Sequence, residues 1–372
     1  MLQCNTPVIK EVDIKRVEEQ LRSGNLAQGQ RVLDLESKML KIVKREKAAA
    51  YSSATAAFDA VFKFIELEEG DDVILSPLTF KSVPYSVIRT GATPVFIDTT
   101  EYYLCDWSKI DTLISHRTKA IIVTSLYGMP DPDFETLAKV LDLYPDIWII
   151  EDNAQSIGAM YDQINHIGSF SSRADFAIFS FYATKNIAAG EGGIILFDEE
   201  TDFFHEYRNN GIIKNYFNQI CIGTNMRMTD VEASLALSQI ERLKQVTKIR
   251  NNQANIYSNI INIQNQQILN ATVASTHAFH HYTLTLPQDI LRDSVIERLA
   301  QNGIKAGVYY DYLTNYDRRL GPTVCSEGTP NAFRQSKQAI CLPLGESLNH
   351  SDIKYIAQKF EEIVSSESAT KQ

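Results

Sequence analysis

The strongest constraint in this sequence is a regular alternation between residues 71 and 152. Short apolar, β-branched runs exchange places with segments of helical composition. "DDVILS" (71–76) leads into "FKSVPYSVIRTG" and then "TPVFID", and "KAIIVTSLYG" (119–128) leads into "DFETLAKVLDLYP" and then "DIWIIED". Strands joined through helices read as βαβ units, which build an α/β fold with a mostly parallel sheet. Ligands of such sheets sit beyond the carboxyl ends of the strands, so the residues that follow these runs carry the functional interest.

From about Thr229 the pattern becomes long and helical, with Leu235, Ile240, Leu243 and Val246 recurring at three- to five-residue spacing. After Asn251 come a strand "YTLTL", a helix "SVIERLAQN", a strand near "AICLPL" and a last helix opened by Ser351. We expect a large α/β domain over residues 1–250 and a smaller α+β domain over 251–372. That division suits a chain of 372 residues at roughly 100–200 residues per domain. The tail "SSESATKQ" reads as frayed. No fixed-period repeat is visible, which excludes solenoids and propellers.

Composition removes other classes. Lysine and arginine total 36 against 46 acidic residues, a net charge of −10 without a long block of one sign. Nothing there resembles a nucleic-acid footprint. No window approaches the roughly 18 uninterrupted apolar residues of a spanning helix, and the N-terminus lacks the apolar core of a signal peptide. No membrane partner is expected. The five cysteines (Cys4, Cys105, Cys221, Cys325, Cys341) are odd in number and far apart. Reduced thiols in a cytoplasmic protein fit them best, and the sequon at Asn270 carries no weight.

Dinucleotide, P-loop, zincin and nucleophile-elbow motifs are all missing. His277, His280 and His281 form the only histidine cluster. Without a second group of ligands, packing or pocket-lining is the stronger reading than a metal site. "YSSATAAFDAVFKFIEL" (51–67) places small hydroxyl residues before an amphipathic helix. Its start at Ala54–Ala57 suits a phosphate dianion, although an ordinary Ser/Thr cap explains the same residues. Asp152 ends an apolar run, where a buried carboxylate would need a cationic partner; a surface acid is the plain alternative. Lys185 follows the strand-like run "AIFSF" and precedes "NIAAGEGG", whose glycines permit a tight return. It is either a solvated loop residue or an amine beside a ligand, with the Ser180 hydroxyl five residues earlier.

One cofactor would use all of these groups. Pyridoxal 5′-phosphate takes an amine for its aldehyde, a carboxylate for its ring nitrogen and a helix start for its phosphate. Phe80, in "SPLTF", offers a flat partner for the ring.

The sequence resembles the sugar-nucleotide aminotransferases, which are fold-type I pyridoxal-phosphate enzymes. The likeness is carried in order by "SGNLAQG", "SSATAA", "GDDVILSPLTF", "GATPVFID", "SLYGMP", "EDNAQSIGA", "FSFYATKN", "GEGG" and "GTNMRMTDVEASLALSQIERL", then by "GIKAGVYY" and "AICLPL". The resemblance implies that Lys185 joins the cofactor aldehyde, that Asp152 pairs with the ring nitrogen and that Gln155 meets the ring hydroxyl. Ala54, Thr55 and Ser180 would hold the phosphate, and Phe80 would cover the ring. Asn225 would reach into the site of a neighbouring subunit, which implies a homodimer with composite sites. The expected reaction moves an amino group from glutamate to a nucleotide-linked keto sugar, giving an amino sugar for surface polysaccharide or a related glycoconjugate.

Departures lie at Ala54, where relatives often have glycine, at Tyr309 and Tyr310, where many have histidine, and in "YDYLTNYDRRLG". The last two touch the identity of the sugar, not the cofactor, and the alanine at 54 occurs in relatives. Lys214 and Arg227 are further basic residues near the expected site, with either contact or solvated roles. Two rival functions share the scaffold. One is a pyridoxal-phosphate sugar dehydratase, whose members replace the lysine with histidine. The other is a non-catalytic binder or sensor.

Overall fold

The computed structural model describes residues 1–131, 133–169, 174–212, 221–262, 276–310 and 328–369. A two-residue strand, β1 (Leu2–Gln3), opens the chain and serves a sheet of its own. The central sheet is built from β2 (Lys47–Tyr51), β3 (Asp72–Leu75), β4 (Thr93–Phe96), β5 (Thr118–Thr124), β6 (Trp148–Asp152), β7 (Phe176–Ser180) and β8 (Gly193–Phe197). Their order is β2-β8-β7-β6-β5-β3-β4. The five strands from β3 to β7 run parallel, and β8 lies antiparallel between β7 and β2. In the β6/β7 ladder Asp152 stands opposite Ile178.

Strand residues are buried on both faces, which is why the sequence shows continuous apolar runs. Alternate residues still serve different cores. Phe176, Ile178, Ile195 and Phe197 join the core beneath the helix Ala54–Phe64. Ala177, Phe179, Ile194 and Leu196 join the opposite core, against the helices Gln30–Val43 and Asp230–Ile240.

A third core gathers Ala254, Tyr257, Leu284, Leu299, Ile340 and Phe360. It surrounds the antiparallel pair β9 (Tyr282–Thr285) and β11 (Ala339–Leu342), while β10 (Ile304–Lys305) pairs in parallel with β1. The first residues of the chain therefore pack with the C-terminal part, which a two-residue strand without periodicity does not announce. The helical stretch after Thr229 is two helices, Asp230–Ile240 and Leu243–Ile260, with a turn at Arg242. That turn lets the Arg242 guanidinium reach Asp13 at 2.9 Å and Glu346 at 3.0 Å. The C-terminal segment does not fray from residue 365: the last helix runs His350–Ala369. Buried Ile363 and Val364, with Arg298 bonded to Ser366 and Glu367, hold it down. No helix among the described residues is long and apolar enough to cross a membrane.

One buried ion pair ties edge strand β2 to its neighbours. Arg208 donates to Glu36 Oε1 at 2.6 Å and to the Ala50 carbonyl at 2.5 Å, and Ala50 N–H donates to the same carboxylate at 2.8 Å. Burial pushes the Glu36 carboxyl upward, but His205, Arg208 and the Ala50 N–H outweigh it and hold the group below its ordinary range. Its contribution to stability is present above the unfolded carboxylate range and is lost as pH falls through the depressed folded value. Replacing Arg208 with Met strands the carboxylate. Denaturant melts should show a loss of roughly 3–5 kcal/mol.

Candidate active site

The carboxyl ends of β5, β6 and β7 meet the start of the helix Ala54–Phe64 at a cavity of about 500 Å³. Asp152 closes β6 and Ser180 closes β7, so the sheet itself brings these two residues to the cavity wall. Beyond Ser180 the chain turns back on hydrogen bonds from Phe181 N–H to Gly192 O and from Ala183 N–H to Gly190 O. Lys185 sits in that turn, its N–H bonded to Tyr182 O at 2.8 Å, and its side chain lines the cavity. Of the two readings open for this lysine, the structure supports the cavity amine.

Burial lowers the Lys185 amine to about 8, and the nearby Asp152 charge opposes that shift. Asp152 is displaced the other way. Burial raises its carboxyl, while the Ala154 N–H, at 3.1 Å, and the Lys185 charge pull it down. An amine inclined to lose its proton thus shares one cavity with a carboxylate that lacks a full counter-charge, a pattern typical of reactive sites.

A third corner is the helix start. Ser53 caps it by accepting the Ala56 N–H at 3.1 Å, and Ser53, Ala54 and Thr55 all line the cavity. The capping reading is thus met without excluding an anion site, because the cap leaves the positive end of the helix at the cavity. Gly193 makes this placement possible: a Cβ there would lie 2.4 Å from Ala54 N. The glycine-rich return thus admits backbone against backbone.

Gln155 is fixed at both ends of its amide. Oε1 accepts the Tyr127 N–H at 2.7 Å, and Nε2 donates to the Tyr310 hydroxyl at 2.9 Å. Tyr127 holds φ +60°, a costly conformation for a bulky residue, and its hydroxyl donates to Tyr309 O. Phe80 is 54% exposed and lines the cavity with its ring centroid 6.1 Å from that of Tyr310.

Asn225 is exposed, forms a bridge with Asn209 and does not line this cavity. Arg227 also lies outside the lining and donates to Asn209 Oδ1 at 2.8 Å. Lys214, Asn270, Cys325 and residues 311–321 fall outside the described residues. Of the three histidines, His280 and His281 line the cavity while His277 is sealed away, its Nε2 buried and without a partner. Among the described residues no cluster suits a metal ion.

Sequence reasoning missed Asn5, Thr79, Thr124 and Ser125, all in the cavity wall. The hydroxyls of Thr79, Thr124 and Ser125 are buried with no hydrogen-bond partner, an unmet polar demand that a bound group would satisfy. A position at the end of a strand for Thr124, and directly after it for Ser125, was the available signal. Amine, carboxylate, helix start and orphaned hydroxyls together fit pyridoxal phosphate.

The family model of the DegT/DnrJ/EryC1/StrS aminotransferases matches residues 7–361. The spore coat polysaccharide biosynthesis protein SpsC of Bacillus subtilis (strain 168) is 30% identical over 391 residues, covering 98% of this chain and 97% of its own. Among solved structures, the putative sugar aminotransferase Spr1654 from Streptococcus pneumoniae in its PMP-form superposes with a TM-score of 0.91 at 26% identity, covering 99% of both chains. Its PLP-form gives 0.90 at 26% identity over 98% of both. Helicobacter pylori PseC, an aminotransferase involved in the biosynthesis of pseudoaminic acid, gives 0.90 at 25% identity over 98% of this chain and 99% of its own.

Fold and cavity together define a fold-type I pyridoxal-phosphate enzyme of the transaminase class. The chain belongs to the DegT/DnrJ/EryC1/StrS aminotransferase family, and its cofactor is pyridoxal phosphate.

Proposed function

We infer that the protein transfers an amino group from glutamate to a nucleotide-linked keto sugar, making an amino sugar for surface polysaccharide or a related glycoconjugate. The observation that carries this reading is the cavity that holds a lysine near neutrality together with a buried aspartate, in a chain of an aminotransferase family. SpsC and PseC, named for polysaccharide and pseudoaminic acid biosynthesis, support a sugar as the acceptor.

When bound, the cofactor supplies an electron-accepting ring that carries the amino group between the two substrates. Asp152 would hold the proton on the ring nitrogen, Ala54, Thr55 and Ser180 would bind the phosphate, and Gln155 would meet the ring hydroxyl. Phe80 would cover one ring face and exclude water from it. Lys185 Nζ, once neutral, would accept the proton from the α-carbon of the donor and hold it for the return step. Lys185 argues against the dehydratase reading, because those relatives carry histidine there.

Asn225, exposed and outside its own cavity, would serve the site of a second copy in a homodimer. We place residues 1–250 in the large domain and 251–372 in the small one. Cys4, Cys105, Cys221 and Cys341 are all free thiols, which agrees with a cytoplasmic setting.

A lysine lowered to about 8 loses its proton as pH rises through that value. The rate at which the apo-protein takes up cofactor covalently should therefore climb with pH and level off above about 8, as stopped-flow absorbance would show. Purified protein, glutamate and a panel of keto-sugar nucleotides, read by mass spectrometry, test the function. An aminated product is expected. Conversion of the cofactor by glutamate without amination of any sugar would remove the sugar reading, and a spectrum unchanged by glutamate would remove glutamate as donor.

A further inference from the structure

His280 and His281 are neighbours in the cavity wall, with ring centroids 4.2 Å apart and planes inclined at 59°. Neither belongs to the cofactor corners described above. Their hydrogen-bond partners determine where each ring carries its proton.

A guanidinium only donates. Arg250 Nη1 and Nη2 lie 3.2 and 3.3 Å from Asn5 Oδ1, so the oxygen of that amide faces the arginine. Asn5 Nδ2 then faces His281 Nδ1 at 3.3 Å. Because Nδ2 donates, Nδ1 of His281 is the bare nitrogen and the proton resides on Nε2.

Asn186 is turned the other way. A carbonyl only accepts, so Asn186 Nδ2 donates to Ala278 O at 3.0 Å, and Oδ1 faces His280 Nδ1 at 3.3 Å. His280 Nδ1 must therefore donate, and its Nε2 keeps a lone pair. Two adjacent rings thus hold opposite tautomers. With both Nδ1 atoms engaged, the remaining polar edges are one acceptor and one donor. Neither Nε2 has a hydrogen-bond partner among the described residues.

Both rings stay uncharged. Burial pushes them well below the ordinary histidine range, and the positive charges of Lys185 and Arg250 push in the same direction.

We propose that His280 and His281 form a specificity-determining pair that seats one hydroxyl of the keto sugar beside Lys185. The hydroxyl donates to Nε2 of His280 and accepts from Nε2–H of His281. A hydroxyl carries both functions in one atom, whereas a carboxylate only accepts and would meet the His280 lone pair. The pair therefore selects the sugar rather than the amino donor, and the proposal rests on the sugar reading given above.

The test uses cofactor-loaded protein with ¹⁵N-labelled histidine, and the two rings are assigned through His280→Gln and His281→Gln. Long-range ¹H–¹⁵N spectra should show His280 protonated on Nδ1 and His281 on Nε2 through the neutral pH range. Asn5→Ala should disturb only the His281 pattern. His281→Phe keeps a flat ring against Tyr309, now stacked at 3.9 Å, but removes the donor. Relative to the glutamate half-reaction, its kcat/KM for the sugar should fall by roughly tenfold or more. Among singly deoxygenated sugars, one should be penalised by the wild type and accepted by His281→Phe as well as its parent sugar. Identical tautomers, a charged ring at neutral pH, or an unchanged ratio of the two half-reactions would overturn the proposal. A wild type that aminates no keto sugar overturns the functional reading beneath it, and the tautomer spectra tell that failure apart from a failure of the pair.

Discussion

Lys185→Ala is expected to lower turnover by at least roughly 10⁴-fold, because it removes the residue proposed as both attachment point and proton carrier. Among the described residues lining the cavity, Lys185 is the only lysine or arginine. No other amine among the described lining residues can therefore stand in for it. Borohydride reduction of the wild type followed by peptide mapping should find the cofactor on the peptide that carries residues 177–186. The variant should give no label there. A label on a different peptide, or activity retained in the variant, would remove the assignment of this cavity.

Asp152→Asn should keep measurable cofactor binding and lose roughly a hundred- to thousandfold in rate. The proposed phosphate corner and Lys185 are untouched, so the proposed anchors survive. The loss is electrostatic: a neutral amide cannot hold a proton on the ring nitrogen. Burial already raises the carboxyl of Asp152, and a cation brought against it would reverse that shift. Cofactor absorbance and single-turnover kinetics with glutamate check both halves of the expectation. Rates near wild type would show that the reaction does not draw on this charge.

The legible part of the site is the part that lies within single local stretches. Asp152 and Lys185 each follow a recognisable apolar run, and Ser53–Thr55 precede an amphipathic pattern, so short-range signals placed all three. Asn5 and Tyr127 carry no such signal, and the histidine cluster left packing and pocket-lining undivided. Asn5 reaches His281 across 276 residues, and Tyr127 acts through a left-handed backbone conformation that a tyrosine does not advertise. The parallel sheet was readable because covered strands are apolar throughout. The pairing of β1 with β10 was not, since two residues have no period. Asn225 marks the limit of a single chain: it stands outside its own cavity, and its proposed role depends on another copy.

The ladder between β6 and β7, with Asp152 opposite Ile178, acts as a ruler for the chemistry. A slip of two residues would keep every side chain on its proper face and both cores filled with apolar groups. It would also carry the carboxylate about 7 Å along its neighbour, since each strand residue advances roughly 3.3 Å. Acid and amine would then no longer meet at the one cavity they now share. Substitutions that loosen this one seam can silence the enzyme while leaving it folded.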